Sequence, residues 1–158
     1  DAGLTGWQLY ATPDASYMVS SVTNGVFEFT RTAPPPGASG QATIFQTTGT
    51  ALPTGRRLTA QFDLGNSSSV RKRLSVLILD ADFSDLSVCT FWLPPNTPLR
   101  TYLMRTHTTR PWANAAIYFY AATTGSNGAA RRASCRGFRQ PIRGSHATAA
   151  IAAIRAPS

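Results

Sequence analysis

The chain has 158 residues, of which 42% are apolar and only 14% charged, and it carries a formal net charge of +8. This length suits one domain with a sizeable core, and no apolar run is long enough to span a membrane as a helix. The two cysteines form no CxxC pair and neither histidine stands near both, which argues against a zinc site.

The polar residues are mainly Ser, Thr, Asn, Gln and Gly, a surface more typical of secreted β-proteins than of cytosolic helical ones. Charge is unevenly placed. All seven acids lie at or before Asp85, and six of the fourteen arginines follow Ala129. Such a basic end attracts nucleic acid, anionic glycans or membrane surfaces. Arg and Ala enrichment also follows from a GC-rich coding bias. No arginine run is interleaved with aromatics as nucleic-acid binding favours, so nucleic acid is not an expected partner.

Leu4, Trp7, Leu9 and Tyr10 mark a first strand. A turn at Pro13-Asp14 leads to Tyr17-Met18-Val19 and Val22, and then to Asn24-Gly25, a strong two-residue hairpin signal. Val26 to Thr30 alternates, with Val26 and Glu28 on one side and Phe27 and Phe29 on the other. Three prolines within residues 32 to 40 remove backbone donors and hold an extended loop. Ala42 to Thr47 makes another short strand, and Leu52-Pro53-Thr54-Gly55 turns the chain into its most regular stretch, residues 57 to 121.

In that stretch, runs at 57–64, 74–80, 88–93, 101–107 and 115–120 repeat with a period of two and are rich in β-branched and aromatic residues. This predicts strands with one face in a core. A polar loop ending in Arg71-Lys72-Arg73, an Asp-rich corner at 80–85, a Pro-rich connection at 94–98 and a loop at 108–114 separate them. Turn signals at intervals of roughly 8–12 residues are those of a sandwich or jelly roll. No helical period persists before residue 145; Ala147 to Ile154 suits a short helix or a loosely attached tail.

The expected fold is all-β: an antiparallel two-sheet β-sandwich (jelly roll) of about 8–10 strands with an irregular Arg/Ala-rich C-terminal tail. Residues 1–128 are expected to form the sandwich. Residues 129–158 are expected to form a basic segment whose last strand lies at 134–139. The chain opens at Asp1 without a signal peptide, as expected of a processed protein or a piece of a longer one.

An early Trp, the run Asn24-Gly25-Val26-Phe27-Glu28-Phe29, the strand end Phe62-Asp63-Leu64-Gly65-Asn66-Ser67, and paired strands rich in Leu, Val and Tyr together resemble the carbohydrate-binding β-sandwich modules. Those modules have a galactose-binding-like jelly-roll topology and are appended to secreted bacterial glycoside hydrolases and cell-surface proteins. The resemblance spans residues 4 to 121 and implies an extracellular or cell-surface protein with a glycan partner. The family usually closes its sheet on an aliphatic-Asp-aliphatic strand and holds a structural calcium. Here residues 129–140 are Arg-rich and lack any acid.

Glycoside hydrolysis needs two carboxylates facing across a cleft. Glu28 is the one Glu and is expected to point outward on a short strand, and Asp80, Asp82 and Asp85 share one turn. No GxSxG elbow is present, so the chain is expected not to be an enzyme. Asp80, Asp82 and Asp85 offer hard oxygen ligands for calcium, a possible cofactor; the alternative is an Asp-rich corner that caps its own backbone. Cys89 and Cys135 form a disulfide in an oxidising compartment, or Cys89 is a buried thiol.

Sugars are gripped by flat rings against their C–H faces and by planar polar groups on their hydroxyls. Parity sends Cys89, Phe91 and Leu93 to the core and Trp92 outward, and Ile117 and Phe119 inward with Tyr118 and Tyr120 outward. Around Met104 it is ambiguous, and the cost of burying a charge places Arg105 and His107 outside. Trp92, Arg105, His107, Tyr118 and Tyr120 are thus expected on one sheet face, with Trp112 at its rim. The expected function is a non-catalytic extracellular carbohydrate-binding module. The alternatives are a structural or adhesive module, or a self-assembling filament subunit joined through strand edges, and anionic-polymer binding through residues 129–158.

Overall fold

The computed structural model describes residues 6–13, 15–23, 26–31, 41–121, 131–132 and 134–137. The expected Pro13-Asp14 and Asn24-Gly25 turns in part or whole, the loop at 32–40 and the helix at 147–154 lie outside them. The described residues form eleven strands and one 3-10 turn (Ala15–Tyr17). The strands are β1 (Gln8–Ala11), β2 (Met18–Thr23), β3 (Val26–Arg31), β4 (Ala42–Thr47), β5 (Arg57–Asn66), β6 (Lys72–Asp80), β7 (Leu86–Leu93), β8 (Thr97–His107), β9 (Ala115–Ala121), β10 (Arg131–Arg132) and β11 (Ser134–Gly137). No described helix is long and apolar enough to cross a membrane.

The fold is an all-β sandwich. One sheet has the order β1-β4-β9-β6-β7-β10 and the other β11-β8-β5, while β2 and β3 form a separate hairpin. All pairings are antiparallel except β10 with β7. Alternate side chains of the two sheets meet in one core that includes Ile44, Phe62, Val76, Ile78, Cys89, Phe91, Met104, Ile117 and Phe119. Phe62 sits at its centre, edge-on to Phe91 at 5.7 Å and to Phe119 at 5.5 Å. Full burial of such a side chain contributes about 1.5–3 kcal/mol. The hydroxyls of Ser87 on β7 and Thr106 on β8 lie 2.5 Å apart and join the sheets across the interior.

The six-stranded sheet has a second apolar face. Leu77, Leu79, Leu86, Ala116 and Tyr118 are buried there, with Phe45, Val88 and Tyr120 packed against them. This explains why β6 reads as an almost continuous apolar run rather than an alternation.

β8 begins at Thr97, four residues before the expected start, and includes Pro98. Its register shows why a proline is tolerated. β11 pairs with β8 only over residues 102–105, so the β8 backbone near Pro98 has a ladder on one side, and β5 is bulged there between Leu64 and Asn66.

Candidate functional site: a groove beside the hairpin

The site is built at the end of the sandwich where β5 gives way to β6. Gly65 occupies the β5 bulge. A Cβ there would meet the Thr97 carbonyl oxygen at 3.0 Å and the Leu99 nitrogen at 3.1 Å, so any side chain would push the β8 backbone back by a few tenths of an ångström, and glycine suits this close approach. The next residue, Asn66, is buried. Its Nδ2 donates to the carbonyls of Val70 (2.9 Å), Leu93 (3.2 Å) and Pro94 (2.9 Å). Its Oδ1 accepts from the Ser68 nitrogen (3.1 Å) and the Ser68 hydroxyl (2.8 Å). One amide therefore fastens the loop after β5 to the turn between β7 and β8, and Asn96 N–H to Ser68 O at 3.0 Å completes the wall.

The β2–β3 hairpin forms the opposite wall. Phe27 and Phe29 pack against the core, while Glu28 is exposed and its carboxylate accepts a hydrogen bond from the Ser67 hydroxyl. A groove of about 900 Å³ lies between the walls, within the range of ligand sites. Its apolar floor includes Leu64 and Phe119, and Glu28, Asp63, Arg71 and Trp92 line its sides. Trp92 is 54% exposed. The Arg71 guanidinium lies 4.4 Å from its ring centroid and that of Arg73 lies 5.8 Å away, close enough for cation–π attraction to hold the indole in place. An oriented ring, two carboxylates and two guanidinium groups can grip the C–H face and the hydroxyls of a sugar.

The residues expected to share one face are divided by the fold. Trp92, Tyr118 and Tyr120 do leave the outer face of the six-stranded sheet, as their parity requires. Tyr118 is not open there: it is 9% exposed and stacks on Phe45 at 4.6 Å, with Phe83 edge-on at 5.3 Å. Burial pushes its phenol pKa up, and neighbouring Tyr120 adds to the shift. Arg105 and His107 are exposed, but β8 belongs to the three-stranded sheet, so they face the other side of the molecule. Trp112, expected at the rim, is 2% exposed and part of the core.

Trp112 is buried because the Asp85 carboxylate accepts its indole Nε1–H at 2.9 Å and the Thr109 N–H at 2.8 Å. Asp80 accepts the N–H groups of Ala113 and Asn114, both at 3.0 Å. These acids hold the 108–114 loop. Asp82 is exposed and accepts from the Ser84 N–H at 2.8 Å, and Ser84 holds its pKa below the usual value. The three therefore face different partners instead of one ion, and among the described residues no cluster of three or more ligating side chains is present. Cys89 is disulfide-bonded; Cys135, the chain's other cysteine, lies on β11 beside Met104.

Spacing in the sequence does not single out Glu28, Asp63 or Asn66. Their signal is faint: a turn-rich Gly-Asn-Ser-Ser-Ser run after an alternating strand marks a loop, without showing that a distant hairpin folds over it.

No protein-family model matches the chain, and no curated protein matches it. Among solved structures it is similar to the enzymatically active domain of tailspike protein 4 from bacteriophage CBA120, with 19% identity and a TM-score of 0.53. The match covers 77% of this chain and 18% of that one. At this identity the likeness is one of fold. It corrects the expectation that the chain is not an enzyme: the sandwich it shares belongs to a domain described as enzymatically active, and the non-catalytic assignment does not stand. The match supports a sheet-rich sandwich, a coarser statement than membership of the carbohydrate-binding modules.

Proposed function

We propose that this sandwich engages polysaccharide as part of a larger extracellular protein, seating the glycan in the groove between the β2–β3 hairpin and the end of β5. The observation that carries the reading is Trp92, more than half exposed and oriented by Arg71, at the side of a groove that also presents Glu28 and Asp63. The likeness to a phage tailspike domain supports it at the level of fold. Screening of the full chain on a glycan array, followed by titration of the best polymer, tests it. Trp92→Ala should weaken binding by about tenfold, the loss expected for one stacked ring. Equal binding by wild type and variant would overturn it.

A second reading is favoured by the pair of carboxylates: the groove also cleaves the glycan it holds. Glu28 and Asp63 come from different elements and are both among the residues lining the cavity, and two-carboxylate hydrolysis would need the pair to face one another across it. Release of new reducing ends from the bound polymer, lost in both Glu28→Gln and Asp63→Asn while binding persists, is the expected result. Binding without any release would remove this second reading and leave the first.

A further inference from the structure

The outer face of the three-stranded sheet carries a basin of about 450 Å³, lined by Gly55, Arg57, Arg105, Thr106 and His107. It lies at the start of β5, nine residues from the groove end and so roughly 30 Å away at the strand rise. Arg57 pairs directly with His107, and Thr59 with Arg105 in the next outward row. Arg57, Arg105 and His107 are exposed on one face. None of the described lining residues is acidic. Asp63, the acid on this face of β5, is six residues further along, roughly 20 Å off.

The backbone beneath these side chains is pinned. Gly55 N–H donates to Thr108 O at 2.9 Å and Thr108 N–H to Arg56 O at 3.0 Å. The Thr108 hydroxyl accepts from Arg56 N–H at 2.9 Å and donates to Pro53 O at 2.6 Å. Apart from its own chain neighbours, no heavy atom of the described residues lies within 4 Å of where a Gly55 Cβ would stand, so the basin stays open at that side. Two guanidinium forks on a fixed ladder suit planar or tetrahedral oxyanions, to which arginine donates paired hydrogen bonds.

We propose that this basin binds the carboxylate or sulfate groups of an acidic polysaccharide, a second site on the side of the sandwich facing away from Trp92. The inference rests on the polysaccharide reading and names the chemical class of that glycan. Among the described residues that line the basin there is no Phe, Tyr or Trp, and the imidazole of His107 is its one ring. A nucleic acid, whose single strands are held by base stacking, fits it less well than an acidic sugar chain.

The test compares wild type, Arg57→Gln/Arg105→Gln and Trp92→Ala on immobilised polygalacturonate, dextran sulfate, carboxyl-reduced polygalacturonate and single-stranded DNA, at low and at physiological salt. The double variant should bind at least one acidic glycan about tenfold more weakly with a smaller salt dependence. Its binding to the neutral polymer and its melting temperature should match wild type. Polygalacturonate against dextran sulfate separates carboxylate from sulfate recognition. Unchanged binding to both acidic glycans, or no binding of either by wild type, would overturn the proposal, as would tighter binding of DNA than of either glycan through the same arginines. The groove is read separately: Trp92→Ala binding the neutral polymer like wild type would sink the groove and leave the basin result standing.

Discussion

The two ends of the sandwich use the same side chains in opposite ways. At one end Asp80 and Asp85 accept four N–H groups between them and draw Trp112 into the core. At the other, Glu28 and Asp63 face a groove and Trp92 stands more than half exposed. A carboxylate surrounded by amide donors is a brace, and replacing it leaves buried donors without partners. A carboxylate beside an open cavity is free to meet a ligand. The closed end is therefore expected to govern stability and the open end recognition.

That division can be broken by substitution. The largest effect is expected for Asp85→Ala, which strands the Trp112 indole N–H and the Thr109 amide; loss of about 3 kcal/mol of unfolding free energy in urea is expected. Asp80→Asn keeps one acceptor for two amides and should cost about 2 kcal/mol by the same measurement. Gly65→Ala crosses the divide. It sits at the groove end yet drives a methyl against the β8 backbone, and a loss of about 1 kcal/mol is expected together with weaker glycan binding. Trp92→Ala and Glu28→Gln should change stability by no more than about 0.5 kcal/mol. A large stability loss in either of these exposed variants would erase the distinction between the ends.

Much of this architecture is legible in residue order. Period two along β7 separates Cys89, Phe91 and Leu93 from Trp92, and along β9 it separates Ile117 and Phe119 from Tyr118 and Tyr120. The ambiguous β8 resolves as charge burial requires, with Met104 inside and Arg105 outside. Alternation distinguishes in from out but does not say which sheet a strand joins. For that reason residue order alone groups Arg105 and His107 with Trp92, while the fold sets them in the other sheet, across the molecule from it. Alternation is equally silent on loops. Trp112 is flanked by turn-forming residues and is buried because of a carboxylate 27 positions away. Glu28 gains its place from the docking of the hairpin, a tertiary contact with no local signature.

The short strands near the C-terminus also matter for how the molecule holds together. β10 lies against β7 on the rim of one sheet and β11 against β8 on the rim of the other, with residue 133 between them. A single stitch thus hems two borders at once. Fraying at either border tugs on its counterpart, so the layers should come apart together, and the ladders left open along that stretch are the short outer sides of β10 and β11, two and four residues long.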